Sequence, residues 1–349
     1  MISHSRTTIT ERDISEVIKV MKTGMVYTGP YVEEFENRVS NYIGREYGFA
    51  TTSGTLAIVL SLEVLGVKKN DEVIIPSYVC HNVLSAVLFR GARPVLADID
   101  QDDFNIDHDD VEMKINKNTK AIIVPHMYGM PAHVDRFGET GIPIIEDCAQ
   151  AIGAKFKNNN IGTFGDISVF SFHALKMITS GSGGMILTDN GEIYSKLRSC
   201  NDPNYNNGEF MKYFPLTDLQ AVLGISQLEQ LEGFITRRRE IARIYNDELK
   251  SLDVDLPIAE DKKREPVFYR YCIKLNKQEN IEKIIELYLK EGIVVRRLYK
   301  PLHQFEPFKD QYCEVSERVF SRVISIPIYP TLSESDIGKI IDVTKKVLE

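Results

Sequence analysis

The sequence predicts an α/β fold, with a large domain built on a mostly parallel sheet flanked by helices and a small C-terminal α+β domain. Two observations predict it. From residue 47 onward, short runs made almost wholly of valine and isoleucine alternate with stretches of helical periodicity, and such runs are typical of strands buried on both faces. The chain has 349 residues, and its pattern simplifies after Asp253. We therefore expect a large domain over residues 1–249 and a small domain over residues 250–349.

Helices are predicted at the start of the chain and again near residue 217. Thr10 and Asp13 form a capping-box pattern ahead of apolar residues at helical spacing, and a second helix is expected over residues 31–43. Leucine, valine and isoleucine recur along one face of residues 217–249, which predicts one long helix. The charged run within it, residues 237–240, is interpreted as solvated surface and not as a binding patch.

The predicted strands indicate where a site is expected. They cover residues 47–50, 72–75, 94–97, 121–124, 143–145 and 166–169. In a parallel sheet covered by helices, ligands bind beyond the carboxyl ends of the strands. The residues that directly follow each run are therefore the candidates for a functional site.

The composition argues against several classes of function. A formal net charge of -8 disfavours nucleic acid or an anionic membrane as the partner. No apolar stretch has the length of a membrane span, and the N-terminus lacks the apolar core of a signal peptide. The five cysteines are scattered and never form a CxxC pair, which is typical of a reduced cytoplasmic protein without a zinc site. We expect a cytoplasmic protein with no nucleic-acid or membrane partner.

The first candidate group is Ser53, Gly54 and Thr55, which close a predicted strand and open a helix. A helix N-terminus offers unpaired N–H groups and a positive dipole, and small hydroxylated residues allow a phosphate to come close. The alternative is a serine that only caps the helix.

The second candidate is Asp147, which ends another predicted strand and is followed by small residues. A carboxylate in this place is either a helix cap or the partner of a buried cation, and the spacing leaves both open. Gln150 lies three residues further on and would face the same way on a helical turn.

The third candidate is Lys176, which follows a predicted strand and precedes the glycine- and serine-rich residues 180–184. Such a lysine is either a solvated turn residue or one that forms a Schiff base. A phosphate site, a buried carboxylate and a lysine are together what pyridoxal 5′-phosphate requires. The spacing from Ser171 to Lys176 also allows the serine hydroxyl to reach the phosphate.

The chain resembles the DegT/DnrJ/StrS aminotransferases, which are fold-type I pyridoxal-phosphate enzymes that mostly aminate keto-sugars attached to nucleotides. The resemblance runs nearly from end to end, and ten segments in order carry it. They are YTGPYVEEFE, ATTSGTLAI, DEVIIPSYV, GARPVLADID, VPHMYGMPAHVD, IIEDCAQAIGAKF, GTFGDISVFSFHALKMITSGSGG, LTDLQAVLGISQLEQL, GIVVRRLYKPLH and SIPIYPTLSESDI.

The resemblance implies a role for each candidate. Lys176 would bind the cofactor covalently and then move a proton between the cofactor and the substrate. Asp147 would pair with the ring nitrogen, and Gln150 would lie beside the ring. Ser171, with Gly54 and Thr55 at the helix start, would hold the phosphate. Family members with a dehydratase activity have histidine in place of the lysine, so that reading is set aside.

Two positions depart from the family pattern. Many members have an aromatic residue, which stacks on the cofactor ring, where this chain has Cys80. Either Cys80 packs there, or His81 or Tyr78 supplies the stacking surface. The family also commonly has an asparagine, which reaches the partner's phosphate across a dimer interface, where this chain has Tyr213. The resemblance still implies a homodimer.

The substrate side is expected to include Arg296, which matches an arginine of members acting on nucleotide-linked hexoses, with Lys300 and His303 near the mouth of the site. A guanidinium suits a diphosphate because its fork is bidentate, although a surface ion pair is the alternative. His126 and His173 are interpreted as structural, and no metal site is expected.

The predicted reaction is transfer of an amino group from an amino acid, with L-glutamate expected, to a keto-sugar, most often a nucleotide-linked one. A keto-cyclitol or another small keto compound is an alternative acceptor. A protein that binds the cofactor without turnover, as a sensor, is the alternative from another class.

Overall fold

A seven-stranded, mostly parallel sheet forms the centre of the molecule. The structure is a computed structural model that describes residues 1–200, 215–259, 261–277 and 279–349. The strands are β1 Tyr47–Thr51, β2 Glu72–Pro76, β3 Arg93–Ala97, β4 Thr119–Pro125, β5 Ile144–Asp147, β6 Lys155–Phe156, β7 Asn159–Asn160, β8 Ile167–Ser171, β9 Gly184–Thr188, β10 Val254–Asp255, β11 Arg264–Glu265, β12 Tyr271–Leu275 and β13 Val323–Ile326.

The topology of this sheet confirms the predicted fold class. Its strand order is β1-β9-β8-β5-β4-β2-β3. The strands β8, β5, β4, β2 and β3 are parallel to their neighbours, whereas β9 pairs antiparallel with both β1 and β8. The parallel strands are almost fully buried, because helices cover both faces of the sheet. The carboxyl ends of β5 and β8 therefore lie side by side, with Asp147 ending one strand and Ser171 ending the other.

Helices surround the sheet and build the C-terminal region. They are α1 Glu11–Thr23, α2 Pro30–Ile43, α3 Gly54–Val64, α4 His81–Phe89, α5 His108–Lys114, α6 Gly191–Ser199, α7 Asp218–Leu228, α8 Leu231–Leu249, α9 Ile281–Lys290, α10 Glu314–Phe320 and α11 Glu334–Leu348, and short 3-10 turns cover Met127–Gly129, Val134–Thr140 and Leu302–Gln304. The predicted capping box at the start of α1 is confirmed, since Thr10 and Asp13 exchange side-chain and backbone hydrogen bonds.

The prediction of one long helix over residues 217–249 is wrong, because the chain breaks into α7 and α8 at Gln230. The Gln230 side-chain Nε2 donates to the Ser226 carbonyl at 2.9 Å, which is the acceptor that the backbone N–H of Gln230 would use in a continuous helix. That N–H donates to the carbonyl of Gln227 instead, at 3.1 Å. A side chain that takes over a backbone acceptor is a local competitor of the helix.

The C-terminal region has its own sheet and core. Strands β10, β12 and β13 pair antiparallel, in the order β10-β12-β13. The core around this sheet includes Ile324 and Ile340, and also Tyr245 of α8 and Ile2 from the start of the chain. The predicted domain division near residue 250 stays a prediction. In the part of the chain that the structure describes, no helix is both long enough and apolar enough to cross a membrane.

Candidate active site

The segment that carries Lys176 forms a closed loop at the carboxyl end of β8. Phe172 closes its base, since its N–H donates to the Gly183 carbonyl at 2.9 Å and its carbonyl accepts the N–H of Ser180 at 3.0 Å. Within the loop, the N–H of Lys176 donates to the His173 carbonyl at 2.9 Å. These bonds fix the backbone of the lysine, so that only its side chain remains to be placed.

Two distant residues hold the loop from outside. The hydroxyl of Thr7 donates to the Ala174 carbonyl at 2.7 Å. The buried side chain of Gln227 in α7 accepts the N–H of Thr179 at 3.3 Å through its oxygen, while its nitrogen donates to Asp13 at 2.8 Å. The N-terminal segment and α7 therefore position the lysine loop, and neither contact was predicted from the sequence.

The Lys176 amine is half-buried and lies over an aromatic ring. Its Nζ is 5.2 Å from the ring centre of Tyr269, a favourable cation–π geometry. No carboxylate lies within ion-pair distance of this amine among the described residues. Asp147 lies close enough to Lys176 for the charge of the amine to lower the pKa of the Asp147 carboxyl group.

Asp147 is a buried carboxylate that the surrounding protein satisfies poorly. Its Oδ1 accepts the N–H of Ala149 at 3.0 Å. Because residues 149–153 form turns and not a helix, Asp147 holds a turn and does not cap a helix. Burial raises the pKa of Asp147, although the bond from Ala149 and the charges of Lys176 and His126 act in the opposite direction. Among the described residues, no cation lies within ion-pair distance of Asp147, so no ion pair offsets the burial of its charge.

The preceding residue, Glu146, lies in a different environment. It is fully buried and paired with Nε2 of His126 at 3.1 Å. Because Nδ1 of His126 accepts the Ala132 N–H at 3.0 Å, Nε2 carries the proton and donates to Glu146. The remaining donors to the Glu146 carboxylate are the backbone N–H groups of Gly162, Phe164 and Gly165, each at 2.7 Å. Both ring nitrogens of His126 are thus used in hydrogen bonds inside the fold. His126, Glu146 and Cys148 lie close enough together to bind a metal ion, but these hydrogen bonds already occupy the His126 nitrogens.

The predicted phosphate site brings three of its residues together. Ser53 caps α3, since its hydroxyl accepts the Leu56 N–H at 3.2 Å, so the capping alternative describes this side chain. Gly54 begins α3 directly against Ser171: a Cβ atom at Gly54 would lie 2.8 Å from Cβ and 3.2 Å from Oγ of Ser171. This leaves the Ser171 hydroxyl beside the N-terminus of α3, with Thr55 next in the helix. Such an arrangement suits an anion.

Gln150 lies in the turn that follows Asp147. Its side-chain oxygen accepts the N–H of Tyr128 at 3.2 Å, and its side chain is buried. Both Gln150 and Asp147 thus belong to the same buried corner of the sheet, and the amide fixes the turn at Tyr128.

The three candidates for the stacking surface differ in exposure. Tyr78 is fully buried, donates to the carbonyl of Leu298 and lies 2.9 Å from the hydroxyl of Tyr128. His81 is exposed, and Cys80 is half-buried at the N-cap position of α4. Cys80 is close enough to Tyr299 to affect the pKa of that residue. The other departure from the family pattern, Tyr213, lies outside the described residues.

The structure places the predicted substrate residues in three different ways. Arg296 is exposed, and its backbone bridges to Ser325. Lys300 is exposed with its Nζ 4.6 Å from the ring centre of Phe305. His303 is buried, and Ser77 and Glu317 engage both of its ring nitrogens, at 2.7 Å and 3.1 Å. A substrate contact from His303 requires one of these bonds to break.

Tyr269 is the residue of this site that the sequence did not reveal. It lies over Lys176, yet it is separated from the lysine by more than ninety positions in the chain. No motif marks it, because only the packing of the C-terminal region against the loop brings the two together. His173, interpreted as structural, is exposed and its Nδ1 accepts the Leu175 N–H at 3.4 Å.

These residues fit pyridoxal phosphate. The Lys176 amine has no carboxylate partner within the described parts of the chain, Asp147 is buried without a cation, and the contact between Gly54 and Ser171 leaves no room for a side chain at the helix start. The fold and this site define the class of the protein, an enzyme among the pyridoxal-phosphate-dependent aminotransferases of fold type I. The chain belongs to the DegT/DnrJ/EryC1/StrS aminotransferase family, whose model matches residues 7–345.

Individual relatives agree with this assignment. The chain is 33% identical over 347 residues to a UDP-N-acetyl-3-dehydro-alpha-D-glucosamine 3-aminotransferase of Acidithiobacillus ferrooxidans, covering 95% of this chain and 92% of the relative. It is 32% identical over 324 residues to the GDP-perosamine synthase of Escherichia coli O157:H7, covering 88% of both chains. A solved structure from Streptococcus pneumoniae, described as a sugar aminotransferase in its PLP form, superposes with a TM-score of 0.93 at 27% identity over 99% of both chains.

Proposed function

We propose that this enzyme transfers the amino group of L-glutamate to a keto-hexose carried on a nucleoside diphosphate, in the synthesis of an amino sugar for a polysaccharide or an antibiotic. The observation that carries the proposal is the Lys176 amine, which lies beside buried Asp147 without an ion-pair partner among the described residues. The names of the two curated relatives, both specific for nucleotide-linked sugars, support the choice of acceptor.

The residues have separate tasks in this reaction. When bound, the cofactor supplies an aldehyde that takes up the amine and a ring that withdraws electrons from the reacting carbon. The Lys176 amine holds and returns the proton that moves at this carbon, because its fixed backbone lets only the side chain move. The Asp147 carboxylate would keep the ring nitrogen protonated, and Gln150 would lie beside the ring. Ser171, with the backbone at Gly54 and Thr55, holds the phosphate, and Ser53 fixes the start of that helix.

Arg296 is proposed to contact the diphosphate, and His303 to border the entrance to the site. Arg296 is exposed and chemically suited to this task. The ring of His303 is bonded to Ser77 and Glu317, so one of these bonds would open when the substrate binds. Cys80 is proposed to pack against the cofactor ring, because it lies at the N-cap of α4 and close to Tyr299, which is itself close to Tyr269.

The proposal includes a homodimer that works in the cytoplasm. Ile14, Ile18, Met21 and Met25 expose an apolar stripe along α1 and the turn that follows it, with exposed fractions of 43–68%. Such a stripe is typical of a subunit contact. The division into domains 1–249 and 250–349 would then place the acceptor between the two.

The first test is the visible absorbance of the cofactor-loaded protein during addition of L-glutamate. We expect the band to bleach, and to return when a nucleotide-linked keto-sugar is added. If no amino acid bleaches it, transamination is wrong, and a sensor that binds the cofactor without turnover is the better description.

The second test concerns the acceptor. The protein in its amino-loaded form is offered nucleotide-linked keto-hexoses, free keto-sugars and keto-cyclitols, and the products are identified by mass. We expect turnover with a nucleotide-linked sugar. Turnover of cyclitols alone would contradict the sugar proposal and leave the aminotransferase activity intact.

A further inference from the structure

A second cationic group lies beside Lys176, on the same aromatic ring. Arg270 follows Tyr269 in the chain and is 9% exposed. Its guanidinium carbon lies 4.2 Å from the ring centre of Tyr269, and the Lys176 Nζ lies 5.2 Å from the same centre. One aromatic side chain therefore contacts both the reactive amine and a buried guanidinium.

The partners of this guanidinium are neutral. Nη1 donates to the hydroxyl of Ser5 at 2.6 Å, and Nη2 donates to the hydroxyl of Tyr269 at 2.9 Å. Its Nε is buried and has no hydrogen-bond partner. Within residues 1–200, 215–259, 261–277 and 279–349, no carboxylate oxygen lies within 4.0 Å of it. A buried arginine of this kind lacks the anion that usually compensates such a charge.

Two more basic side chains lie close to Arg270. Arg238 is 4% exposed and donates to the carbonyls of Phe268, Tyr269 and Ile328, and burial together with the charge of Arg270 lowers its pKa to about 9. Burial, Arg270 and Arg296 lower the pKa of His4 to about 3, so its ring is neutral at physiological pH. Arg238, Arg270 and His4 thus form a buried basic group, and none of the three has a carboxylate within ion-pair distance among the described residues.

We propose that Arg270 binds a carboxylate group of the amino-acid donor. A planar carboxylate matches the fork of a guanidinium in a bidentate pair, and it is small enough for a position that is almost closed to solvent. The exposed Arg296 and Lys300 are better placed for the larger and more hydrated diphosphate of the acceptor. The donor and the acceptor would then use different arginines of one site. This inference rests on the proposed function, since it requires an amino acid as the donor.

The test measures binding of glutarate, a dicarboxylate that cannot react, by isothermal titration calorimetry. The dissociation constant is determined for the wild-type holoenzyme, for Arg270→Gln and for Arg270→Lys, with Arg296→Gln as a contrast. Arg322→Gln is the control, because Arg322 is a half-buried arginine whose Nε also lacks a hydrogen-bond partner. Loss of a charge-assisted bidentate pair should weaken glutarate binding about 10- to 100-fold in Arg270→Gln. Arg270→Lys should show an intermediate loss, and both controls should bind glutarate as the wild type does.

Binding of a nucleotide diphosphate should depend on the other arginine, Arg296. We expect UDP to bind Arg270→Gln as it binds the wild type, and to bind Arg296→Gln more weakly. Unchanged glutarate binding in the folded Arg270→Gln or Arg270→Lys variant overturns the inference, and so does a loss confined to UDP, which would make Arg270 a diphosphate residue. If Arg270→Gln does not fold, Arg270→Lys decides, and equal binding of glutarate and neutral glutaramide by the wild type also overturns it.

The inference and the proposed function fail in different ways. If the wild type binds glutarate through Arg270 but no amino acid bleaches the cofactor band, the transferase proposal is wrong while the carboxylate site stands. If L-glutamate bleaches the band in Arg270→Gln with an unchanged KM, the carboxylate site is wrong while the transferase proposal stands.

Discussion

Glu146 and Asp147 are adjacent residues of β5, and their side chains lie on opposite faces of the central sheet. The two carboxylates have opposite surroundings. Glu146 lies on one face, where His126 and three backbone N–H groups of the 162–165 segment surround it. Burial raises its pKa, but the hydrogen bonds from His126 and from the backbone outweigh this effect, and the net pKa is lowered. Asp147 lies on the other face with a single N–H donor, and its pKa is raised.

The difference shows how a fold separates a structural carboxylate from a functional one. Alternate residues of a strand point to opposite faces, so two adjacent acids can have unrelated surroundings. Both carboxylate oxygens of Glu146 accept hydrogen bonds from inside the fold, so this side chain is not available to bind a ligand. Asp147 has a buried carboxylate without an ion pair among the described residues, and a protonated ring nitrogen would supply the missing cation.

The largest expected effect comes from the amine that lies beside Asp147. Lys176→Ala should lower the rate of amino transfer by about 10⁴-fold or more, since it removes the amine that is proposed to move the proton. Lys157→Ala is the matched control, because this exposed lysine also lies over an aromatic ring but is already paired with Asp135 at 2.7 Å. Rates are measured with a coupled assay at saturating donor. A residual rate within tenfold of the wild type would contradict the assignment of Lys176.

The next largest effect is on stability and concerns Glu146. Glu146→Gln should lower the free energy of unfolding by about 3 kcal/mol, since it replaces one carboxylate oxygen, which accepts two N–H donors, with an NH2 group that accepts none. Urea denaturation of the cofactor-free protein measures it, with the exposed Glu139→Gln as control. Because the folded pKa of Glu146 is lowered, its contribution is present above the unfolded pKa and is lost as the pH falls through the folded one. The wild type, and not the variant, should show this loss. Equal stabilities at pH 7 would show that the network is not structural.

Asp147→Asn should have the opposite effect on the cofactor-free protein and a clear effect on cofactor binding. The folded pKa of Asp147 is raised, so its favourable contribution is present below the unfolded pKa and is lost as the pH rises through the folded pKa. At pH 7 the carboxylate is therefore a cost, and the amide should unfold at the same or higher urea concentration than the wild type. The cofactor should bind about 10- to 100-fold more weakly, because a charged partner of the ring nitrogen is lost. Equilibrium dialysis measures the affinity. If the cofactor-free variant is less stable than the wild type and its cofactor affinity is unchanged, Asp147 is a structural carboxylate and the contrast with Glu146 is wrong.

Much of this site could be predicted from the sequence, because its signals are local. Asp147 ends an apolar strand, Lys176 precedes a glycine-rich segment, and Gly54 opens a helix; each pattern lies within a few residues. The contrast between Glu146 and its neighbour could not be predicted, since the N–H donors come from residues 162–165 and their number depends on how the loop folds. Arg270 and Tyr269 were missed for the same reason, because the site gathers them from the far end of the chain. The break at Gln230 was missed because its cause is one side-chain hydrogen bond.

The smallest expected effect concerns His4. Unlike Glu146 and Asp147, this side chain is a buried base whose pKa is lowered by neighbouring arginines. Burial, Arg270 and Arg296 lower its folded pKa to about 3, below the ordinary value of 6.5. The unfolded chain therefore binds a proton that the native ring does not bind between pH 6.5 and 3, and unfolding is favoured as the pH falls. His4→Gln keeps a donor and an acceptor for Ser325 and Ser5, which the ring contacts at 2.9 Å each, but it does not titrate. The loss of stability between pH 7 and pH 5.5 should shrink by about 1 kcal/mol in the variant. Urea midpoints at the two pH values measure this difference, so a general weakening of the variant cancels. An identical pH dependence would show that His4 is charged in the native state, and that an anion compensates the arginines after all.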